Sequence, residues 1–238
     1  TVGTDKGIQP MVHDGLITSD GTTILGSDDK SGLAVILEVL QTLWENGTKH
    51  PPLEVVLTVG EELGLVGARQ LDLSQLRARQ GVVLDTGGPI GNIVVAGPSE
   101  IKFSVVVRGR KAHAGSEPEK GINAIRVAAE AIAAMPMGRI DEETTANIGI
   151  IHGGTATNIV PDEVYVEGEA RSRDAAKLQE QATAMAEAFH AAAQRHSARI
   201  EVNLERTYEG YRLAEDSPLI QRVAQAAATI GKTPNFKE

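Results

Sequence analysis

Ile101-Lys102-Phe103-Ser104-Val105-Val106-Val107-Arg108 is the stretch that decides the fold. Ile101, Phe103, Val105 and Val107 occupy every second position, the period of a half-buried strand. Working outward, Ile122–Met135 predicts an Ala-rich helix that stops at Pro136. Thr144–Ile151 predicts a strand. Glu163–Arg171 predicts another, with Val164, Val166 and Gly168 alternating against charged residues. Asp174–Ser197 reads as a long helix with Leu178, Met185 and Phe189 on its apolar face, and Arg199–Arg206 as a last strand. The order β-α-β-β-α-β is the ferredoxin-like arrangement. It predicts four antiparallel strands with two helices on one face.

Before this block, residues 1–97 read as α/β. Ser31–Trp44 carries Leu33, Ile36, Leu37, Leu40, Leu43 and Trp44 near the 3.6 period, which predicts a helix. It is apolar over most of its surface, so it is expected to be largely buried. Asp28 and Asp29 suit its N-terminus and Asn46-Gly47 its end. Strands are expected at 53–59, 81–85 and 92–96, with a short helix over Val66–Leu71. Gly97-Pro98 marks a boundary. Beyond 207, Asp216-Ser217-Pro218 starts a helix over Leu219–Ile230 that Gly231 stops. The expected plan is a catalytic α/β domain in two parts, 1–97 and 208–238, with a lid domain, 98–207, inserted between them.

Three acidic sites stand where apolar runs end: Asp28-Asp29, Glu61-Glu62 and Asp85. Ligands of open α/β sheets bind outside the carboxyl ends of the strands. Carboxylates gathered there repel one another unless a cation joins them, which points to a metal site. Each pair has a plainer reading alone: Asp28-Asp29 as helix caps, Glu61-Glu62 as a solvated loop, Asp85 as a turn residue. Their joint placement favours the metal. The net charge of −9 argues against a nucleic-acid partner. The absence of cysteine removes disulfides and Cys-ligated zinc and fits a reducing, cytoplasmic setting. No run approaches the ~20 apolar residues of a membrane helix. Aromatics make up only 3% of the chain, so any core must be aliphatic.

The segment Asp20-Gly21-Thr22-Thr23-Ile24-Leu25-Gly26-Ser27-Asp28-Asp29-Lys30-Ser31-Gly32 resembles the peptidase T branch of the co-catalytic zinc peptidases, relatives of glutamate carboxypeptidases and aminoacylases. Glu61-Glu62 after Thr58-Val59-Gly60, and Leu84-Asp85-Thr86-Gly87-Gly88, resemble the next two metal motifs of that family. Ala112-His113-Ala114-Gly115, Gly121-Ile122-Asn123-Ala124 and Thr157-Asn158-Ile159-Val160-Pro161 resemble its lid motifs. The resemblance implies that Asp28 bridges two zinc ions, with cobalt or manganese as substitutes. It implies Glu62 on one ion, Asp85 on the other, and Glu61 as the general base. His113 then stabilises the oxyanion, across a dimer formed by the lid or within one chain, while Asn158 and Arg171 hold the peptide backbone or carboxylate.

The His-x-Asp start and the final His of that pattern have no counterpart in this sequence. The expectation is therefore that the 238 residues alone bind metal weakly and do not catalyse, whereas the longer protein removes residues from the amino end of short peptides. Two other readings stay open: a dipeptidase, carboxypeptidase or N-acyl amino acid hydrolase on the same fold, and a non-catalytic lid fragment that dimerises or binds peptides.

Overall fold

The computed structural model describes residues 7–238, so the first six residues of the expected 1–97 domain lie outside the described residues. Contacts gather the chain into two compact units, Thr1–Asn92 and Ile93–Glu238.

The first unit opens with an antiparallel hairpin of β1 (Pro10–His13) and β2 (Leu16–Ser19). Its turn residues Asp14 and Gly15 both have positive φ, +50° and +77°, as tight two-residue hairpins need. Helix α1 (Lys30–Glu45) is capped by Asp29, whose carboxylate accepts the Gly32 N–H at 3.0 Å. Asn46 closes it and Gly47 follows at φ +57°. Helix α2 (Val66–Arg69) lies flush on residues 58–59: a Cβ at Gly67 would stand 2.6 Å from the Val59 backbone.

Two expectations fail in this unit. Helix α1 is not buried: Gly32 is the one buried residue among those described up to Asn92, and Trp44 is 83% exposed. The runs 53–59 and 81–85 form no strands, and Val83 is 84% exposed. The reason is shared. A strand exists only where a neighbour accepts and donates its ladder bonds, and among the described residues no strand pairs with either run. Without that sheet, α1 has no apolar layer to cover it.

The helices and strands of the second unit fall close to where the reading placed them. It begins with β3 (Asn92–Val94) and β4 (Ala96–Gly97), followed by β5 (Ser99–Arg108) and β6 (Ala112–His113). Helix α3 (Ala124–Ala134), β7 (Gly138–Arg139), β8 (Thr144–Gly153), β9 (Ile159–Val160) and β10 (Glu163–Ser172) come next. Helix α4 (Ala175–His196), β11 (Arg199–Tyr208), β12 (Tyr211–Arg212), α5 (Pro218–Thr229) and β13 (Asn235–Lys237) complete it. The main sheet runs β11-β5-β10-β8-β7, antiparallel throughout. This is the expected ferredoxin-like sheet with a two-residue strand added at one edge.

Ile101, Phe103, Val105 and Val107 all point into one core with Leu178, Met185 and Phe189 of α4 and Val127, Ala128 and Ala131 of α3. Phe103 and Phe189 meet with ring centroids 5.5 Å apart. Asp174 and Asn123 cap α4 and α3. Residues 208–238 pair back onto the strand that precedes the lid. Arg212 pairs with Ala96 and Tyr211 with Gly97, while β13 pairs with β3 on the other side. Ile220 and Ala224 of α5 bury against Ile93 and Val95. At the crossing, a Cβ on Gly210 would stand 2.6 Å from the Gly97 carbonyl oxygen, so only glycine lets the two chains pass this closely.

Candidate metal and substrate site

The acidic residues lie on segments of the first unit whose backbones end in turns. Asp28 sits just before α1, next to the capping Asp29, and the peptide between them is cis. Glu61 opens a tight turn, its carbonyl accepting the Gly64 and Leu65 N–H groups at 3.0 and 2.8 Å, after Gly60 at φ +67°. Asp85 ends the extended run 81–85. Its carboxyl is pushed up from the ordinary value, first by partial burial and then by the charges of Asp28 and Asp29. Asp28 is close enough to share a hydrogen bond with it, and Glu61 adds further repulsion.

Asp28, Asp29, Glu61 and Asp85 are thus neighbours in space, although they span 58 positions of sequence. Carboxylates held this near one another suit a hard cation in kind, since oxygen donors and negative charge are what such an ion takes up. In number they fall short: no three His, Asp or Glu side chains among the described residues stand together as an ion's ligand set. Glu62 is exposed. The residues fit the carboxylate part of a metal centre and do not by themselves complete one.

In the lid, His113 and Asn158 come together. β6 pairs with β9, with His113 opposite Ile159, and the Ala114 N–H donates to the Asn158 carbonyl at 2.9 Å. The Gly115 and Ser116 N–H groups both donate to His113 Nδ1, each at 3.1 Å. Two amides pointing at Nδ1 require its lone pair, so the neutral ring carries its proton on Nε2. The exposed ring therefore presents an N–H donor to solvent.

Arg171 is elsewhere. It lies opposite Glu100, at the far end of β5 from His113. The register runs from Glu163↔Arg108 to Arg171↔Glu100, eight residues along the strand, or roughly 26 Å at about 3.3 Å per residue. A fully extended tripeptide spans about 10 Å. His113 and Asn158 thus lie beyond one end of β5 and Arg171 at the other.

Arg171 is also heavily engaged. Its Nη2 is 2.8 Å from Glu100 Oε2 and donates to Glu169 Oε2 at 3.1 Å, and its Nε is 2.9 Å from Glu169 Oε1. Glu100 is 4% exposed and also accepts the Thr207 hydroxyl at 2.6 Å and the Tyr208 hydroxyl at 3.3 Å. Sequence reasoning missed Glu100. The available signal was a glutamate directly before the alternating run of β5, where a charge has no reason to be unless something pairs with it.

A family profile described as a peptidase dimerisation domain matches residues 99–198, and one described as M42 glutamyl aminopeptidase matches residues 13–94. The Bacillus subtilis protein YqjE is 47% identical over 232 residues, covering 98% of this chain and 62% of that protein. Peptidase T of Vibrio cholerae is 30% identical over 228 residues, covering 93% of this chain and 54% of the relative. Among solved structures, aminopeptidase PepT from Bacillus cereus superposes with a TM-score of 0.85 at 47% identity, covering all of this chain and 64% of that one. A tripeptidase from Staphylococcus aureus superposes at 0.89 with 43% identity, covering 96% of this chain and 61% of that one. The chain thus spans between about half and two thirds of the length of these relatives. With the peptidase dimerisation domain matched across its lid, the chain is similar along nearly its whole length to peptidase T-like peptidases.

Proposed function

We propose that the whole protein is a metal-dependent aminopeptidase that shortens small peptides, tripeptides foremost, from the amino end. The observation that carries this is the convergence of Asp28, Glu61 and Asp85 in a chain 47% identical to aminopeptidase PepT. Asp28, Asp85 and Glu62 are the proposed metal ligands, for zinc or in its place cobalt or manganese. Bound ions would supply Lewis acidity and favour deprotonation of water at neutral pH. Glu61 would take the proton of the attacking water and return it to the leaving amine. His113 Nε2–H would stabilise the oxyanion. Asn158 and Arg171 would hold the peptide backbone or its carboxylate.

The placement of His113 and Arg171 beyond opposite ends of β5 favours a homodimer through the lid, in which each site draws on both copies. The proposed domain plan is a catalytic domain in two parts, 1–97 and 208–238, around the lid of residues 98–207. We place the enzyme in the cytoplasm, with peptide and not nucleic acid or membrane as its partner. Among the described residues no helix is long and apolar enough to cross a membrane.

The test is Glu61→Gln in a protein carrying the full length of its relatives. Tripeptide hydrolysis should fall by about 10²-fold or more, the usual contribution of a general base, while the bound metal measured by elemental analysis is unchanged. Activity within tenfold of the parent removes Glu61 from the role.

A further inference from the structure

Glu100 is the one charged residue that is buried among those described. Ile101 beside it points into the core, so Glu100 faces the other side of the sheet, away from α3 and α4. Arg171 of β10 stands opposite it on one flank and Tyr208 of β11 on the other. The β11 register slips between Arg206 and Tyr208, which leaves Thr207 as an extra residue. Neighbours on a regular strand face opposite ways, and a bulge re-aims them. Here it lets Thr207 and Tyr208 both donate to the Glu100 carboxylate, at 2.6 Å to Oε1 and 3.3 Å to Oε2. Just beyond, the Gly210 N–H donates to Ser99 Oγ at 2.7 Å, which pins the start of β5 to the same segment a second time.

Arg171 is what this network holds. A guanidinium has five N–H groups, three of them on Nε and Nη2. That side of Arg171 is turned to the two glutamates, with Nη2 2.8 Å from Glu100 Oε2 and Nε 2.9 Å from Glu169 Oε1. The remaining two, on Nη1, meet no acceptor among the described residues, and the side chain is 43% exposed. Stability alone does not account for the arrangement, because a buried ion pair is often matched or bettered by apolar residues of the same volume. Two glutamates, two hydroxyls and a bulge around a single arginine fix its direction, as supporting groups do at a binding site.

We propose that Glu100 is a positioning residue of the substrate site. Anchored by Thr207 and Tyr208, and aided by Glu169, it fixes the Arg171 guanidinium so that Nη1 is offered to an oxygen of the bound peptide, carboxylate or carbonyl. Glu100 itself touches no substrate: it is buried, and it acts through the arginine. The inference rests on the reading of Arg171 as a residue that holds the peptide, and it adds what holds Arg171.

The test separates KM from kcat in the full-length, metal-loaded protein. Glu100→Ala should raise the KM for a tripeptide about tenfold, the worth of one hydrogen bond to a charged group, with kcat within about threefold of the parent. Glu100→Gln keeps an oxygen acceptor and should recover part of that loss. Arg171→Ala should raise KM at least as much, and adding Glu100→Ala to it should bring no further rise, because the two act as one. Phe189→Leu loosens the helix side of the sheet, and it should lower Tm while leaving KM in place. The rise is read with the tripeptide and with its C-terminal amide: one lost with the amide belongs to a carboxylate oxygen, one kept belongs to a carbonyl, and both support the proposal. A Glu100→Ala KM within about twofold of the parent, with that of Arg171→Ala raised, overturns the positioning and leaves the role of Arg171 standing. An unchanged KM in Arg171→Ala overturns that reading and this one together. Where Glu100→Ala does not fold, Glu100→Gln decides: a rise of about threefold in KM supports the proposal, and no rise overturns it.

Discussion

Arg171→Ala isolates the charge network at the start of the lid sheet. Glu100 is 4% exposed, and the guanidinium 2.8 Å away is its cationic partner. Without Arg171, its carboxylate keeps only the Thr207 and Tyr208 hydroxyls, at 2.6 and 3.3 Å. Removing one member of a buried ion pair costs about 3–5 kcal/mol because the other is left uncompensated. Arg171 is itself 43% exposed at the side chain and shares its charge with Glu169, which places the effect near the low end, about 3 kcal/mol. For a domain of this size that is roughly a 10 °C fall in Tm. Adding Glu100→Gln to Arg171→Ala removes the stranded charge, keeps an oxygen acceptor for the Thr207 hydroxyl and sets an NH2 donor against the Tyr208 hydroxyl oxygen. The double variant should therefore regain about 1 kcal/mol or more, a coupling typical of residues in one network. Urea and thermal unfolding of Arg171→Ala, Glu100→Gln and the double variant, followed by far-ultraviolet circular dichroism, give the comparison. The reasoning fails if Arg171→Ala loses less than about 1 kcal/mol, or if the double variant is as unstable as the sum of its parts.

Other outcomes follow from the same geometry. Phe189→Ala empties the core beside Phe103 and should cost about 3–5 kcal/mol, read as a lower urea midpoint with unchanged slope. The Glu143 and Thr144 N–H groups and Lys177 hold the Asp141 carboxyl at about 2, below its ordinary 3.8. A depressed carboxyl stabilises the fold above its unfolded pKa and loses that contribution as pH falls. Asp141→Asn should thus flatten the decline of Tm between about pH 4 and pH 2, and an unchanged profile would remove Asp141 as its source. Zinc titrated calorimetrically into the 238-residue chain should bind weakly, and Asp28→Ala or Asp85→Ala should abolish even that. Two tightly held equivalents would mean that the described carboxylates find further ligands.

The lid was legible because its signals are local. Strand alternation at 101–108 and helical spacing at 174–197 reflect which side of an element faces apolar neighbours, and any partner of the right shape satisfies them. The caps at Asp29, Asn123 and Asp174 are equally local, each side chain bonding its own next turn. The acidic residues could be picked out because carboxylates at the ends of apolar runs are costly without a purpose.

What only the tertiary structure decided is everything that depends on a distant partner. The runs 53–59 and 81–85 have the composition of strands, yet a strand requires a neighbour's hydrogen bonds, and sequence pattern cannot supply one. The same lack leaves Leu37 and Trp44 of α1 in solvent despite an apolar pattern that reads as buried. His113, Asn158 and Arg171 were all expected from the lid, and strand register, a pairing between remote segments, puts Arg171 opposite Glu100 at the other end of β5 from the His113 segment. The partnership of Glu100 with Arg171 is hidden for the same reason. Periodicity in the sequence determined which residues face inward; the choice of strand neighbours, made by long-range packing, determined which of them meet.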